Sequence, residues 1–197
     1  MGWGVFKQNM KRYMEQEGGA PSQDDFAKKL TSEYDRTVKS FGTQNPNLSK
    51  IQKGNTSLME TLVKVCLMEG FQKREGSFPW IKKLGPGVKG YWTGLTLTGP
   101  PPPPPAPGSV ANIQFVTGTC TNPGQWSTDI PTPPNENVMI FINSFVTAAQ
   151  IHLTTVSGII NTISLYPAGP STVPAPGVIP WLSLIHISEP TSPLYIT

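Results

Sequence analysis

Apolar residues recur at helical spacing through the first part of the chain. Trp3, Phe6, Met10 and Tyr13 fall three and four apart, which places them on one face of a helix that Gly18-Gly19 ends. A second helix is predicted after Ser22, a capping residue, with Asp24 and Asp25 at the positive end of its dipole. Its stripe is Phe26, Leu30, Tyr34 and Val38, completed by Phe41, and Gly42 to Asn47 supplies the break. A third helix is expected from about Asn55 to Arg74, with Leu58, Met59, Leu62, Val63, Cys66, Leu67 and Phe71 inward. Three antiparallel helices with three apolar stripes close one small core, and Trp80, Ile81 and Leu84 form a short fourth piece or lid.

After Tyr91-Trp92 the pattern changes. Gly99 leads into six consecutive prolines, Pro100 to Pro105, then Ala106-Pro107-Gly108. Such a run is a polyproline II spacer, and about eight residues at ~3.1 Å each span roughly 25 Å. No Lys or Arg flanks it closely, so a spacer fits better than a ligand for a proline-binding module. Residues 109–136 alternate Val110, Ile113, Phe115 and Val116 with turn signals such as Asn122-Pro123-Gly124, which predicts short strands or extended arms. From Val138 to Tyr166 no charged residue occurs, while Asn143, Thr147, Gln150, Thr154, Ser157, Asn161 and Ser164 step by four and three. That spacing predicts a helix, or two helices broken near Gly158, with a narrow polar stripe. Three settings compete for it: burial in a protein assembly, a membrane span, and β-structure favoured by Thr154-Thr155-Val156 and Ile159-Ile160. Polar residues on each turn and flanks without Lys or Arg count against the membrane. Pro167 to Pro180 returns to extended chain suited to lying across another subunit.

The fold class expected is therefore mainly α. A helical domain spans residues 1–97, a polyproline linker 98–108, and a charge-poor region 109–181 with short strands, the 138–166 helix and a Pro-rich arm. Charge sharpens this division. All fifteen Lys and Arg lie at or before Lys89, and of the twelve acids only Asp129, Glu136 and Glu189 lie beyond it. Charged residues make up 14% of the chain, well under the usual ~25%, and a surface so poor in charge favours self-association or docking into a larger assembly. In the basic part the cations interleave with acids, as in Glu33, Asp35, Arg36 and Lys39, which is the pattern of a solvated helix face and not of a nucleic-acid patch.

Chemistry is sparse. Cys66 and Cys120 have no metal or redox spacing, and Cys66 in an apolar helix is a buried structural thiol. Gly85-Pro86-Gly87-Val88-Lys89-Gly90 matches the spacing of a dinucleotide loop, yet no predicted strand precedes it and Tyr91-Trp92-Thr93-Gly94 opens no helix, so a flexible hinge is expected. His152, in an apolar segment with no second ligand nearby, is expected to be a core imidazole. Asp129 and Glu136 form a solvated pair in a Pro-rich loop. Asn55-Thr56-Ser57 is a chance glycosylation match in a chain with no apolar leader. No catalytic, cofactor or metal site is expected, and the expected class is non-enzymatic.

Two resemblances add to this reading. Leu182-Ser183-Leu184-Ile185-His186-Ile187-Ser188-Glu189-Pro190-Thr191 resembles a translated sequencing adaptor, which implies that the biological segment runs to about Trp181 and that residues 182–197 are extraneous. Residues 1–181 are similar to a family of virion structural proteins of marine contractile-tailed, cyanophage-like bacteriophages. The likeness rests on Trp3-Gly4-Val5-Phe6-Lys7-Gln8-Asn9-Met10, on Phe26-Ala27-Lys28-Lys29-Leu30-Thr31 with Glu33-Tyr34-Asp35, and on Ile51-Gln52-Lys53-Gly54-Asn55. Gly90-Tyr91-Trp92-Thr93-Gly94, His152-Leu153-Thr154-Thr155 and Asn161-Thr162-Ile163-Ser164-Leu165-Tyr166-Pro167 extend it. The resemblance implies a non-enzymatic particle component, made in the host cytoplasm and located in the virion, whose partners are its own copies or other virion proteins, with no specific nucleic acid. The expected assembly face is Phe141, Phe145, Ile159 and Ile163. The alternative is a membrane-associated protein anchored by residues 138–166.

Overall fold

The computed structural model describes residues 2–16, 22–41, 54–73, 79–98, 113–126, 138–166 and 169–180. The expected polyproline linker, Asp129, Glu136 and the adaptor-like tail lie outside them. Among the described residues five helices and four strands follow one another: α1 (Trp3–Met14), α2 (Gln23–Lys39), α3 (Thr56–Lys73), α4 (Trp80–Trp92), β1 (Thr96–Thr98), β2 (Ile113–Asn122), α5 (Val138–Leu153), β3 (Ser157–Tyr166) and β4 (Gly169–Pro180). The fold is mainly α, as the periodicity predicts.

The first three helices form where their stripes place them. Trp3, Phe6 and Met10 of α1 are buried. Ser22 caps α2, its Oγ accepting from the Asp25 N–H at 3.1 Å, and Leu30, Tyr34 and Val38 point into the core with Phe41 behind them. The α3 cap is Asn55, whose Oδ1 accepts from the Leu58 N–H at 3.2 Å, so the residue that opened a chance sequon acts as a helix start. Met59, Val63, Cys66 and Leu67 face inward from α3.

The fourth piece departs from expectation. No hinge occurs at Gly85-Pro86-Gly87-Val88-Lys89-Gly90; the motif lies inside the 13-residue helix α4 with Pro86 in its interior. Three glycines and a proline disfavour a helix by about 6 kcal/mol relative to alanine, so packing must hold it. The glycines supply that packing by what they lack. A Cβ at Gly87 would stand 2.9 Å from Val63 Cγ2, one at Gly90 3.0 Å from Leu62 Cδ1, and one at Gly85 2.6 Å from Trp126 Cδ1. Bare backbone lets α4 lie close on α3 and receive the Trp126 ring. A backbone bond from the Asn55 N–H to the Tyr91 carbonyl at 2.9 Å ties the start of α3 to the end of α4.

The helices pack in a closed circuit: α1 on α2, α2 on α3, α3 on α4, α4 on α5 and α5 back on α1. One core results, and Ile142, Phe145, Val146, Ala149 and Leu153 of α5 share it with Phe6, Tyr34 and Trp92. The division expected at residue 97 therefore marks no packing boundary, because the helix of the charge-poor half completes the bundle of the charged half. The 138–166 segment is also not one helix. It turns at Thr154-Thr155 and continues as β3, where the β-branched Ile159 and Ile160 suit extended backbone.

The sheet is antiparallel throughout, in the order β1-β2-β3-β4. Gly94, at φ +69°, makes the left-handed turn from α4 toward β1, and the Cys120 N–H donates to the Leu95 carbonyl at 2.8 Å. Leu95, Cys120, Trp126 and Val156 join the helical core and seat the sheet on it. The Pro-rich arm pairs with its own chain: Ser157 stands opposite Pro180, Asn161 opposite Pro174 and Leu165 opposite Pro170. Among the described residues β4 is the last strand in the order, the position at which a sheet tolerates prolines because one side needs no N–H. Among the described residues no helix is long and apolar enough to cross a membrane.

Candidate functional site

The site the fold presents most clearly is the outer face of α5. Its core side is committed: Phe145 is 1% exposed and stacks on Phe6 at 5.6 Å, with a 15° angle between ring planes, and Tyr34 and Trp126 flank it. Phe141 is half-buried against Phe26 at 6.3 Å. The opposite side carries Ile140 at 43% exposure, Asn143, Thr147 and Ile151 at 44%. Thr147 turns its hydroxyl back to the Asn143 carbonyl at 3.0 Å, and Thr154 does the same to Ile151 at 2.7 Å. Both hydroxyls thus donate within the chain, and the surface they leave carries no charge.

The four residues expected to share an assembly face do not share one. Phe145 belongs to the interior because it lies on the side of α5 that closes the circuit against α1. Phe141 sits at the edge of that contact. Ile159 stands on β3 at 41% exposure, and Ile163 is placed on the same strand opposite Phe115 and Thr172. Ile140 and Ile151, passed over in the sequence reading, are the outward residues. Their signal was the phase of the helix: they lie with the polar stripe of Asn143 and Thr147, and packing on α1 was needed to show which side turns inward.

His152 anchors the far end of α5. It is 0% exposed, and its Nε2 donates to the Pro123 carbonyl at 2.7 Å when that nitrogen carries the proton. Gly124, at φ +83°, passes so close that a Cβ would stand 2.9 Å from His152 Nε2. Thr155 Oγ1 accepts the Gln125 N–H at 2.7 Å, and Trp126 Nε1 donates to the Ile81 carbonyl at 2.9 Å. Residues 123–126 are thereby fastened to α4 and to the end of α5. Burial drives the His152 pKa down to about 4; the Pro123 carbonyl opposes this and the Lys89 charge adds to it. The imidazole is neutral at neutral pH and has no surface from which to meet a substrate. Its Nδ1 is buried without a partner among the described residues.

Both thiols are internal. Burial, with the Glu69 charge nearby, pushes the Cys66 thiol up to about 12. Burial raises Cys120 to about 11, and a backbone hydrogen bond with Asn122 opposes this. Neither is a thiolate at neutral pH. Among the described residues no group of His, Cys, Asp and Glu is arranged to hold a metal ion.

Beside α4 runs an open groove of about 580 Å³. Leu58, Leu62, Pro86 and Trp126 form its apolar lining, and Lys82 and Lys89 stand over it. Glu33 and Asp35 of α2 do not lie on the solvated face that their interleaving with Arg36 and Lys39 suggests. Glu33 is buried under Asn9 of α1, and Asp35 accepts from Tyr91 Oη at 2.8 Å and from Lys39 Nζ at 2.7 Å. Compared with protein-family profiles, curated proteins and solved structures, the chain matches none.

Proposed function

We propose that this chain is a non-enzymatic virion structural protein of the contractile-tailed phage type, which makes subunit contacts through the outer face of α5. The observation that supports this most is that face itself: a 16-residue helix with no Asp, Glu, Lys or Arg, presenting Ile140, Asn143, Thr147 and Ile151 outward. An ordinary solvated helix keeps charge on its outer side, and a side without any is better suited to another protein surface. Ile159 offers further apolar area on β3. The partners are other copies of the chain or other virion proteins, and the site of action is the particle, reached after synthesis in the host cytoplasm. The resemblance of residues 1–181 to virion proteins agrees with such a role. Mass spectrometry of purified particles tests it: the protein should be recovered in many copies per particle, and its absence from particles sinks the proposal.

A further inference from the structure

We propose that the cleft between α1 and α2 binds a phosphate-type oxyanion. Asn9, Arg12 and Tyr13 of α1 face Lys29, Glu33 and Arg36 of α2 across a cavity of about 230 Å³, several times the ~30 Å³ share of one water in the liquid. The spacing explains the gathering. The α1 residues lie three and four apart on one helical side, and those of α2 four and three apart on another, so the packing of the two helices brings both rows together.

The charges in the cleft do not cancel. Glu33 Oε2 accepts from Asn9 Nδ2 at 2.8 Å and its Oε1 from Lys29 Nζ at 2.9 Å, so both oxygens are taken. Burial pulls the Glu33 carboxyl up, but those hydrogen bonds and the charges of Lys29 and Arg36 outweigh it and hold the group ionised. Asp35, on the same helix, is engaged by Lys39 and Tyr91. Arg12 and Arg36 form no ion pair among the described residues, and Lys29, Arg12 and Arg36 line the cleft with Glu33, while the charge of Asp25 reaches it from the start of α2.

A second, independent observation lies at the same place. The Tyr13 hydroxyl is buried and has no hydrogen-bond partner among the described residues. Burial, and then the Asp25 charge, raise its pKa, so it keeps its proton and remains a donor without an acceptor. A phosphate oxygen is an acceptor of the kind it lacks. Guanidinium groups pair with tetrahedral oxyanions through two parallel N–H bonds. The positive charge left over in the cleft, with Glu33 and Asp25 both counted, suits an anion, and its two guanidinium groups suit a tetrahedral oxyanion better than a single carboxylate.

Titration of the full chain at constant ionic strength tests this, with inorganic phosphate, glycerol phosphate and acetate as probes. Phosphate should bind at millimolar concentration or tighter, and acetate should bind about tenfold more weakly. The double variant Arg12→Gln, Arg36→Gln should lose about tenfold in phosphate affinity, and Tyr13→Phe should weaken it by a smaller factor. Both arginines are exposed, so circular dichroism should show the fold retained. Equal affinity for glycerol phosphate identifies a phosphate ester as the natural ligand, whereas preference for inorganic phosphate identifies the free ion; either supports the site. A phosphate response unchanged in the double variant means an adventitious ion only and overturns it. Particle incorporation of that variant is a separate readout, so this test does not depend on the assembly proposal.

Discussion

At the scale of single residues, His152 shows how burial alone can turn a titratable group into a structural one. In the unfolded chain its imidazole titrates near 6.5, and in the fold near 4. Between those values the unfolded state binds the extra proton, so stability is full above pH 6.5 and declines as pH falls toward 4, by up to about 3 kcal/mol. Thermal unfolding followed from pH 7 to pH 4 should show this decline, and His152→Gln should flatten it above pH 5. Glu33, whose carboxyl is held below its usual range, loses its contribution only at lower pH, which separates the two effects. Phe145 makes the complementary case. Phe145→Ala opens a cavity beside Phe6, Tyr34 and Trp126, and chemical denaturation should show a loss of about 3–5 kcal/mol. If the side chain belonged to an exposed assembly face, the loss would be within about 0.5 kcal/mol.

At the scale of elements, α4 is the instructive one. Local propensity argues against a helix through Gly-Pro-Gly, and the sequence reading accordingly expects a hinge. The helix persists because each glycine serves a contact that only tertiary structure creates, with Val63, with Leu62 and with Trp126. These contacts differ in how much they can yield. Gly85→Ala places a Cβ against the Trp126 ring, which is held by its bond to the Ile81 carbonyl, and should cost about 1–3 kcal/mol. Gly90→Ala meets the half-buried Leu58 and Leu62 side chains beside an open groove, where they can move, while the helix gains about 1 kcal/mol in propensity. Denaturation midpoints of the two variants should therefore shift in opposite directions. Equal losses would show that α3 and α4 are locked along their whole contact. The legible elements, α1 to α3, are those in which pattern and propensity agree. The 138–166 segment was legible only in part, since its uncharged polar period of three and four runs on past the point where Thr154-Thr155 turns the chain into β3.

At the scale of the whole molecule, the charge split and the packing follow different lines. Every Lys and Arg lies at or before Lys89, yet α5, far beyond it, fills the circuit between α4 and α1. An uncharged helix placed there has two sides with different fates: one enters the core and the other remains outside without charge. Ile151→Lys tests the outer side. The substituted chain should fold with stability within about 0.5 kcal/mol of the original, because Ile151 is 44% exposed, and should fail to enter particles or to self-associate. Normal assembly of this variant, checked by sedimentation and by its recovery in particles, would exclude the α5 face from the contact.

The sequence by itself determined the apolar stripes of the first three helices, the Ser22 cap, the internal place of His152 and the poverty of charge after Lys89. These follow from spacing and composition, which act over a few residues. Tertiary structure alone decided that the Gly-Pro-Gly run is helical, that Phe145 faces in while Ile140 and Ile151 face out, and that the Pro-rich arm lies on its own β3. Each of these depends on contacts between residues far apart in the chain, such as Gly85 with Trp126 or Phe6 with Phe145, whose energy no local pattern carries.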